Sequence, residues 1–290
     1  MCVIAAKYFP KLGWVGVKNR DRNYIPEISF NLLQTDKDTQ RMLFHDDITG
    51  YEEGLNNHGV SILNASLMVE DDEREIARGH INNSPDGEKN REALLQPTAK
   101  DAANKLIELQ MTGNNLIYDA LHCYLLEASI RDGEYVHICQ EISPYQTVAR
   151  TNHGVWLPWA GYQRDPNSQW MTLSRISSES RLKIACELVI KATTPMELLN
   201  SLCKVYVDDP QLNVMRTSTE RKKMRTTAQE MIIPTEKTLY VRPICSHITF
   251  DFWSVNKPKP DVWVELLSNR PLYEDGDKLP FAKYRLQHTV

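Results

Sequence analysis

No run in this 290-residue chain approaches the roughly 18 apolar residues of a membrane-spanning helix. The first residues, Met1-Cys2-Val3-Ile4-Ala5-Ala6-Lys7, lack the basic stretch and the long apolar stretch of a secretory leader, so a cytoplasmic location is the expectation. Positive charge is not in excess. Lys and Arg number 34 against 38 Asp and Glu, a net of −4, which removes any global electrostatic reason to bind nucleic acid. The six cysteines, at positions 2, 123, 139, 186, 203 and 245, never form CxxC, which argues against a zinc site or a disulfide framework. There is no internal repeat and no low-complexity linker. With 41% apolar and 25% charged residues, the composition is that of a globular chain long enough to bury a core without metal or disulfide.

Strand patterns appear at residues 2–8 and 13–19, which read as a hairpin, and at 59–69. Residues 70–92 are polar and read as a surface loop at the mouth of a site. A helix begins at Thr98, with Asp101 three residues on and Ala102, Leu106 and Leu109 near one face. Strands follow at 115–120, 123–130, 134–142 and 146–151, two of them joined by the Arg131-Asp132-Gly133-Glu134 turn. Leu182, Ala185, Cys186, Val189 and Ile190 keep helical spacing, which predicts a helix over 179–192. Thr194-Pro195-Met196-Glu197 starts another that runs to about 206. Arg216, Arg221, Lys222, Lys223 and Arg225 crowd a stretch that reads as a solvated loop. Strands at 226–233, 237–243 and 247–253 precede a tail, 256–290, rich in proline and charge, that is expected to wrap the surface. Strands with helices grouped between them predict an α+β fold of two stacked sheets covered by helices, one domain over residues 1–290.

Cys2 stands apart from the other five cysteines, which sit in apolar segments and read as buried small hydrophobes. Removal of Met1 by an aminopeptidase would give Cys2 a free α-amine of pKa about 7.7–8.0 beside a thiol of about 8.5. One residue then carries a nucleophile and a general base. Three further motifs hold groups such a thiol needs. Gly16-Val17-Lys18-Asn19-Arg20-Asp21-Arg22 ends the strand that pairs with residues 2–8: a carboxylate there orients the amine, and a cation lowers the thiol pKa. Arg150-Thr151-Asn152-His153-Gly154 offers an amide for an oxyanion, a donor worth roughly 10²–10³ in rate. Ser177-Ser178-Glu179-Ser180-Arg181 opens the predicted helix, where an arginine runs against the dipole preference. Each motif also has a plain structural reading, as surface ion pairs, a turn or a helix cap.

Taken in order with Gly54-Leu55-Asn56-Asn57-His58-Gly59-Val60 and with Leu116-Ile117-Tyr118-Asp119-Ala120 followed by Tyr124-Leu125-Leu126-Glu127, these motifs resemble the cysteine N-terminal-nucleophile (Ntn) hydrolases. The branch is that of choloylglycine hydrolases, penicillin V acylases and acyl-CoA:penicillin acyltransferases, and the resemblance spans about residues 1–245. It implies a four-layer αββα sandwich with Cys2 as nucleophile. Asp21 matches the residue that holds the amine, Asn152 the one that helps bind the oxyanion, and Arg181 the arginine near the thiol. The family's second box carries arginine where this chain has Lys18, with Arg20 at the variable place, so either Lys18 or Arg20 fills that role. A further oxyanion or pocket residue falls near 64–82, with Asn64 as the candidate. Trp156, Trp159 and Tyr162, with Trp170, are candidates for the wall of an acyl pocket or for core.

The implied activity is cleavage of a linear amide C–N bond through an acyl-enzyme thioester, without metal or cofactor. Transfer of the acyl group to an amine uses the same site. A catalytically silent binding or assembly protein on the same fold is the competing class, and nucleic-acid binding through the basic run and the tryptophans a distant third. The expected partner is a small-molecule or peptide acyl-amide substrate, with a homo-oligomer left open and neither nucleic acid nor membrane involved.

Overall fold

The computed structural model describes residues 2–24, 26–34, 39–67, 85–217, 224–244, 247–249, 262–267 and 281–286. In chain order the elements are β1 (Cys2–Phe9), β2 (Gly13–Arg22), β3 (Glu27–Gln34), β4 (Gln40–Asp46), β5 (Tyr51–Asn56), β6 (Ser61–Ala65), α1 (Pro85–Ala93) and α2 (Ala99–Glu108). They continue with β7 (Gly113–Tyr118), β8 (Cys123–Arg131), β9 (Glu134–Glu141), β10 (Val148–Arg150), α3 (Gln169–Lys191) and α4 (Pro195–Ser201). The chain closes with β11 (Arg225–Ile233), β12 (Thr238–Pro243), β13 (His247–Thr249), β14 (Val262–Leu267) and β15 (Phe281–Leu286).

Two sheets result. One has seven strands in the order β10-β1-β2-β11-β12-β15-β14, and the other eight in the order β13-β3-β4-β5-β6-β7-β8-β9. Neighbours are antiparallel except β13 and β3. The alternation of side chains along each strand sorts the core into three layers. Cys2, Ile4 and Ala6 of β1 face Phe44, Leu55, Leu63 and Leu116 between the sheets. Val3, Ala5, Val15 and Val17 face the other way, onto Ala185, Val189, Leu198 and Leu202 of the α3–α4 layer. Leu43, Ile62, Ile117 and Leu126 pack on Ala93, Ala102 and Leu106 of the α1–α2 layer. The architecture is the expected αββα sandwich.

Local signals account for several boundaries. Thr98 and Thr194 accept from the backbone N–H groups of Asp101 and Glu197, capping α2 and α4. Asp132 and Gly133 both take positive φ, 54° and 81°, as the two-residue turn between β8 and β9 demands.

Other expectations need correction. Helix α3 starts at Gln169 and not at 179, and its N-cap is Ser168. The inward stripe of its first half is polar, with Ser174, Ser177, Ser178 and Arg181 all buried at helical spacing, so no apolar periodicity marks it. Helix α4 ends at Ser201 and not near 206. Residues 85–93, read as loop, form α1, while 70–84 lie outside the described residues. Strands β4 and β5 carry inward charge at Asp46 and Glu53, which breaks the alternation that predicts a strand. Among the described residues the strand at 59–69 covers Ser61–Ala65 and the one at 247–253 covers His247–Thr249, while 68–69 and 250–253 lie outside them. The tail supplies β14 and β15, which extend the first sheet. Arg216 of the basic run is buried, not solvated, and residues 218–223 lie outside the described set. Cys123 and Cys203 are buried as expected, Cys139 and Cys186 are half-buried, and Cys245 lies outside the described residues. No helix among the described residues is long and apolar enough to cross a membrane.

Candidate functional site

The site grows from the pairing of β1 with its two neighbours. On one side, Cys2 stands opposite Arg20 of β2. On the other, Ile4 stands opposite Arg150 of β10. Two residues beyond Arg150 the chain comes level with Cys2, and that residue is Asn152. Its side chain replaces the ladder: Cys2 N donates to Asn152 Oδ1 at 2.9 Å. The Asn152 Nδ2 group donates to Ser66 O at 2.8 Å, which fixes the amide plane.

Helix α3 braces this contact from behind. Ser178 Oγ accepts from Asn152 N at 2.9 Å and donates to Thr151 Oγ1 at 2.9 Å, and His153 Nδ1 lies 2.8 Å from the same hydroxyl. Arg181 Nη1 donates to Cys2 O at 3.1 Å and Nη2 to Asn152 Oδ1 at 3.2 Å. Arg181 is wholly buried mid-helix, so the dipole argument from a helix start does not apply to it. Burial and Arg216 lower its pKa to about 9, which leaves it charged at neutral pH, held by Asp21. Asp21 points to this helix side. It lies 3.5 Å from Arg181 and 3.6 Å from Arg216 and accepts from Thr226 Oγ1 at 2.8 Å. Asp21 thus anchors the two arginines, while the bond on Cys2 N comes from Asn152.

In the second half of β2 the alternate residues that point between the sheets, Lys18, Arg20 and Arg22, are all cations. Lys18 pairs with Glu53, Arg20 bonds Glu53 at 2.7 Å and Asp46 at 2.9 Å, and Arg22 Nη1 lies 3.6 Å from Cys2 Sγ. Tyr24 Oη and Arg22 both reach Asp46 Oδ2, at 2.8 Å and 3.3 Å. Burial pushes the Cys2 thiol up, but Lys18, the amino-terminal ammonium and Arg22 outweigh burial and Asp21, and bring it down to about 6. Both candidates for the family's arginine therefore sit on Glu53, and Lys18 exerts the largest pull on the thiol. The cation that touches sulfur is a third one, Arg22. Its signal was present in the sequence, since Lys18, Arg20 and Arg22 share one face of a strand at i, i+2 and i+4.

The proposed pocket residues are each held by contacts with other parts of the fold. Asn64 is buried against β7, donating to Asn115 Oδ1 at 2.7 Å and taking Glu53 Oε2 on its backbone N–H at 3.3 Å. Tyr162 is buried edge-on to Trp170. Trp159 packs under Arg131. Trp156 packs under Arg150 and lines an open cavity of about 730 Å³ with Tyr8, Leu125 and Val148. Glu127 braces the Trp156 loop by accepting from the backbone N–H groups of Trp156 and Leu157 at 2.8 and 2.6 Å. The sequence reading gives no site role to Arg216, Ser178, Glu53 or Asp46, all of which the structure joins to the site. Among the described residues, no group of three or more His, Cys, Asp or Glu is arranged to hold a metal ion.

No protein-family model and no curated protein matches the chain. Solved structures do. The penicillin V acylase from Agrobacterium tumefaciens aligns over 83% of this chain and 83% of its own, at 14% identity and a TM-score of 0.45. The mutant C2A conjugated bile acid hydrolase from Clostridium perfringens aligns over 84% of this chain and 89% of its own, at 11% identity and a TM-score of 0.43. Likenesses this remote carry no argument about chemistry, which rests on the geometry above.

Proposed function

We propose that the chain is an amidohydrolase that uses Cys2, freed of Met1, as an N-terminal nucleophile on a linear C–N amide bond. The observation that supports this best is the setting of Cys2: its nitrogen is held by Asn152 Oδ1, and Arg22 contacts a thiol whose pKa is brought down to about 6. The α-amine takes the thiol proton, and the thiolate attacks the amide carbonyl. The S–C bond forms, the C–N bond breaks, and the amine leaves with the proton carried by the α-amine. The second hydrogen of Asn152 Nδ2 and a backbone N–H are the oxyanion donors of this reading. Water then cleaves the thioester. An amine acceptor in place of water would make the same site an acyltransferase.

The pull of Lys18 and Arg22 comes from side chains and persists when the chain begins at Cys2. A screen of acyl-amides, N-acyl amino acids and small peptides tests the proposal. Release of a free amine by the wild type and its loss in Cys2→Ala is the expected result. No turnover of any member by protein shown to begin at Cys2 would favour a silent binding protein on this fold.

A further inference from the structure

Arg150 has part of its hydrogen-bonding capacity unused. It is only 9% exposed, and it lies on β10 level with Ile4, whose side chain faces the space between the sheets. Its Nε donates to Glu127 Oε2 at 3.4 Å, long for a charge-assisted bond, and its Nη1 donates to Ala149 O at 2.9 Å. Glu127 Oε1 is taken up by the backbone N–H groups of Trp156 and Leu157. The Nη2 group makes no hydrogen bond among the described residues, and Arg150 lines the open cavity of about 730 Å³. Burial lowers the pKa of Arg150, and Glu127 offsets this only in part.

The rest of the cavity suits an apolar body. Trp156 stacks on the guanidinium, its ring centroid 4.8 Å from Cζ. Tyr8, Leu125, Ile142 and Val148 continue the wall, and all four belong to or pack on the core between the sheets. Tyr145 and Ile190, both exposed, line it as well. The other charges on the wall are engaged elsewhere. Lys7 Nζ donates to the carbonyls of Val189, Ile190 and Ala192 at the end of α3. Glu141 is bonded to His122 and Tyr124 at the surface. Arg150 is therefore the cation of this wall that can receive an anion. A carboxylate, with two oxygens in one plane, matches the fork of a guanidinium. A phosphate would bring more charge than one arginine, already shared with Glu127, can meet.

The cavity is distinct from the thiol site. Among the described residues, those that line it do not include Cys2, Arg22, Asn152 or Arg181. Tyr8 lies six residues along β1 from Cys2, about 20 Å at about 3.3 Å per residue. We propose that this cavity is a second ligand site, which takes a carboxylic acid with an apolar chain or ring, its carboxylate on Arg150 and its body against Trp156, Tyr8 and Leu125. The proposal holds whether or not Cys2 is a nucleophile.

Calorimetric titration of the full chain with octanoate at neutral pH, against octanol as the uncharged match, reads the site without turnover. Saturable binding of octanoate is expected, with octanol weaker by about tenfold or more. Arg150→Gln should lose octanoate affinity by about the same factor, and Cys2→Ala should bind it as the wild type does. Octanoate carrying a diazirine should crosslink to the wild type at Trp156 or within residues 140–148. Equal affinity for the two compounds, no binding of octanoate, loss of binding in Cys2→Ala, or crosslinks confined to residues outside the cavity would each overturn the proposal. Should Arg150→Gln fail to fold, the two compounds compared on the wild type, together with the crosslink, still decide. Failure of the nucleophile reading is seen separately, as full activity in Cys2→Ala, and leaves the binding result as it is.

Discussion

Cys2 N donates to Asn152 Oδ1 at 2.9 Å across 150 residues of sequence, and Arg181 donates to the same oxygen. One amide therefore holds the nucleophile's nitrogen in line with the helix behind it. Asn152→Ala removes that acceptor and leaves two buried donors without it. The expected loss in kcat/KM is about 10²–10³, with a stability cost of about 1–3 kcal/mol. Asn152→Asp keeps an acceptor and adds a negative charge, so the thiol midpoint should rise while Cys2 stays in place. Rate and thermal unfolding measured on both variants separate the two effects.

The lowered thiol pKa predicts selective reactivity. Alkylation of Cys2 by iodoacetamide should reach half its maximal rate near pH 6, because the thiolate is the attacking form. Cys139, half-buried and pushed up to about 11, should label far more slowly at neutral pH. Removal of a cation favours the thiol, so Lys18→Met and Arg22→Ala should each move the Cys2 midpoint upward. Peptide mapping of the label against pH checks this. A midpoint near the ordinary thiol value in the wild type would remove the electrostatic argument.

His153 supplies an acid limb in stability. Burial, with Arg175 adding, lowers its pKa from 6.5 to about 4. Between these values the unfolded chain binds the proton and the folded chain does not. Stability from this group is complete above pH 6.5 and is lost as pH falls toward 4. Urea midpoints measured across that window should fall, and the fall should be shallower in His153→Gln, which keeps a polar partner for Ser178 Oγ.

Glu53 is the anion under both Lys18 and Arg20, and all three side chains are buried. Glu53→Gln leaves buried positive charge uncompensated and should cost about 3–5 kcal/mol. Adding Lys18→Met to it should recover a large part of that, since a shared charge pair is then replaced on both sides. Chemical unfolding of the single and double variants gives the coupling directly.

Much of the fold was legible because local chemistry announced it. Thr194-Pro195-Met196-Glu197 starts α4 as its capping residues require, and Asp132-Gly133 turns β8 into β9. What stayed illegible is mostly polar residues that face inward. Ser174, Ser177, Ser178 and Arg181 hid the first half of α3, and Asp46 and Glu53 hid the strands that carry them. The same substitution of polar for apolar residues builds the site. Cys2, Asp21, Asn152 and Arg181 were read from motif order and do come together. Arg22 and Arg216 were passed over because one closed a polar box and the other lay in a run of surface-like charge. Only the register of β2 and the contact of Arg216 with Asp21 show that both are turned inward.

The central claim is that Cys2 becomes the first residue and carries the acyl group. Intact mass spectrometry of active protein, acid-quenched during turnover of an acyl-amide, tests it most directly. The account predicts a chain lighter by Met1, with an acyl adduct on Cys2 that is absent from Cys2→Ala. Active protein that retains Met1 would contradict it.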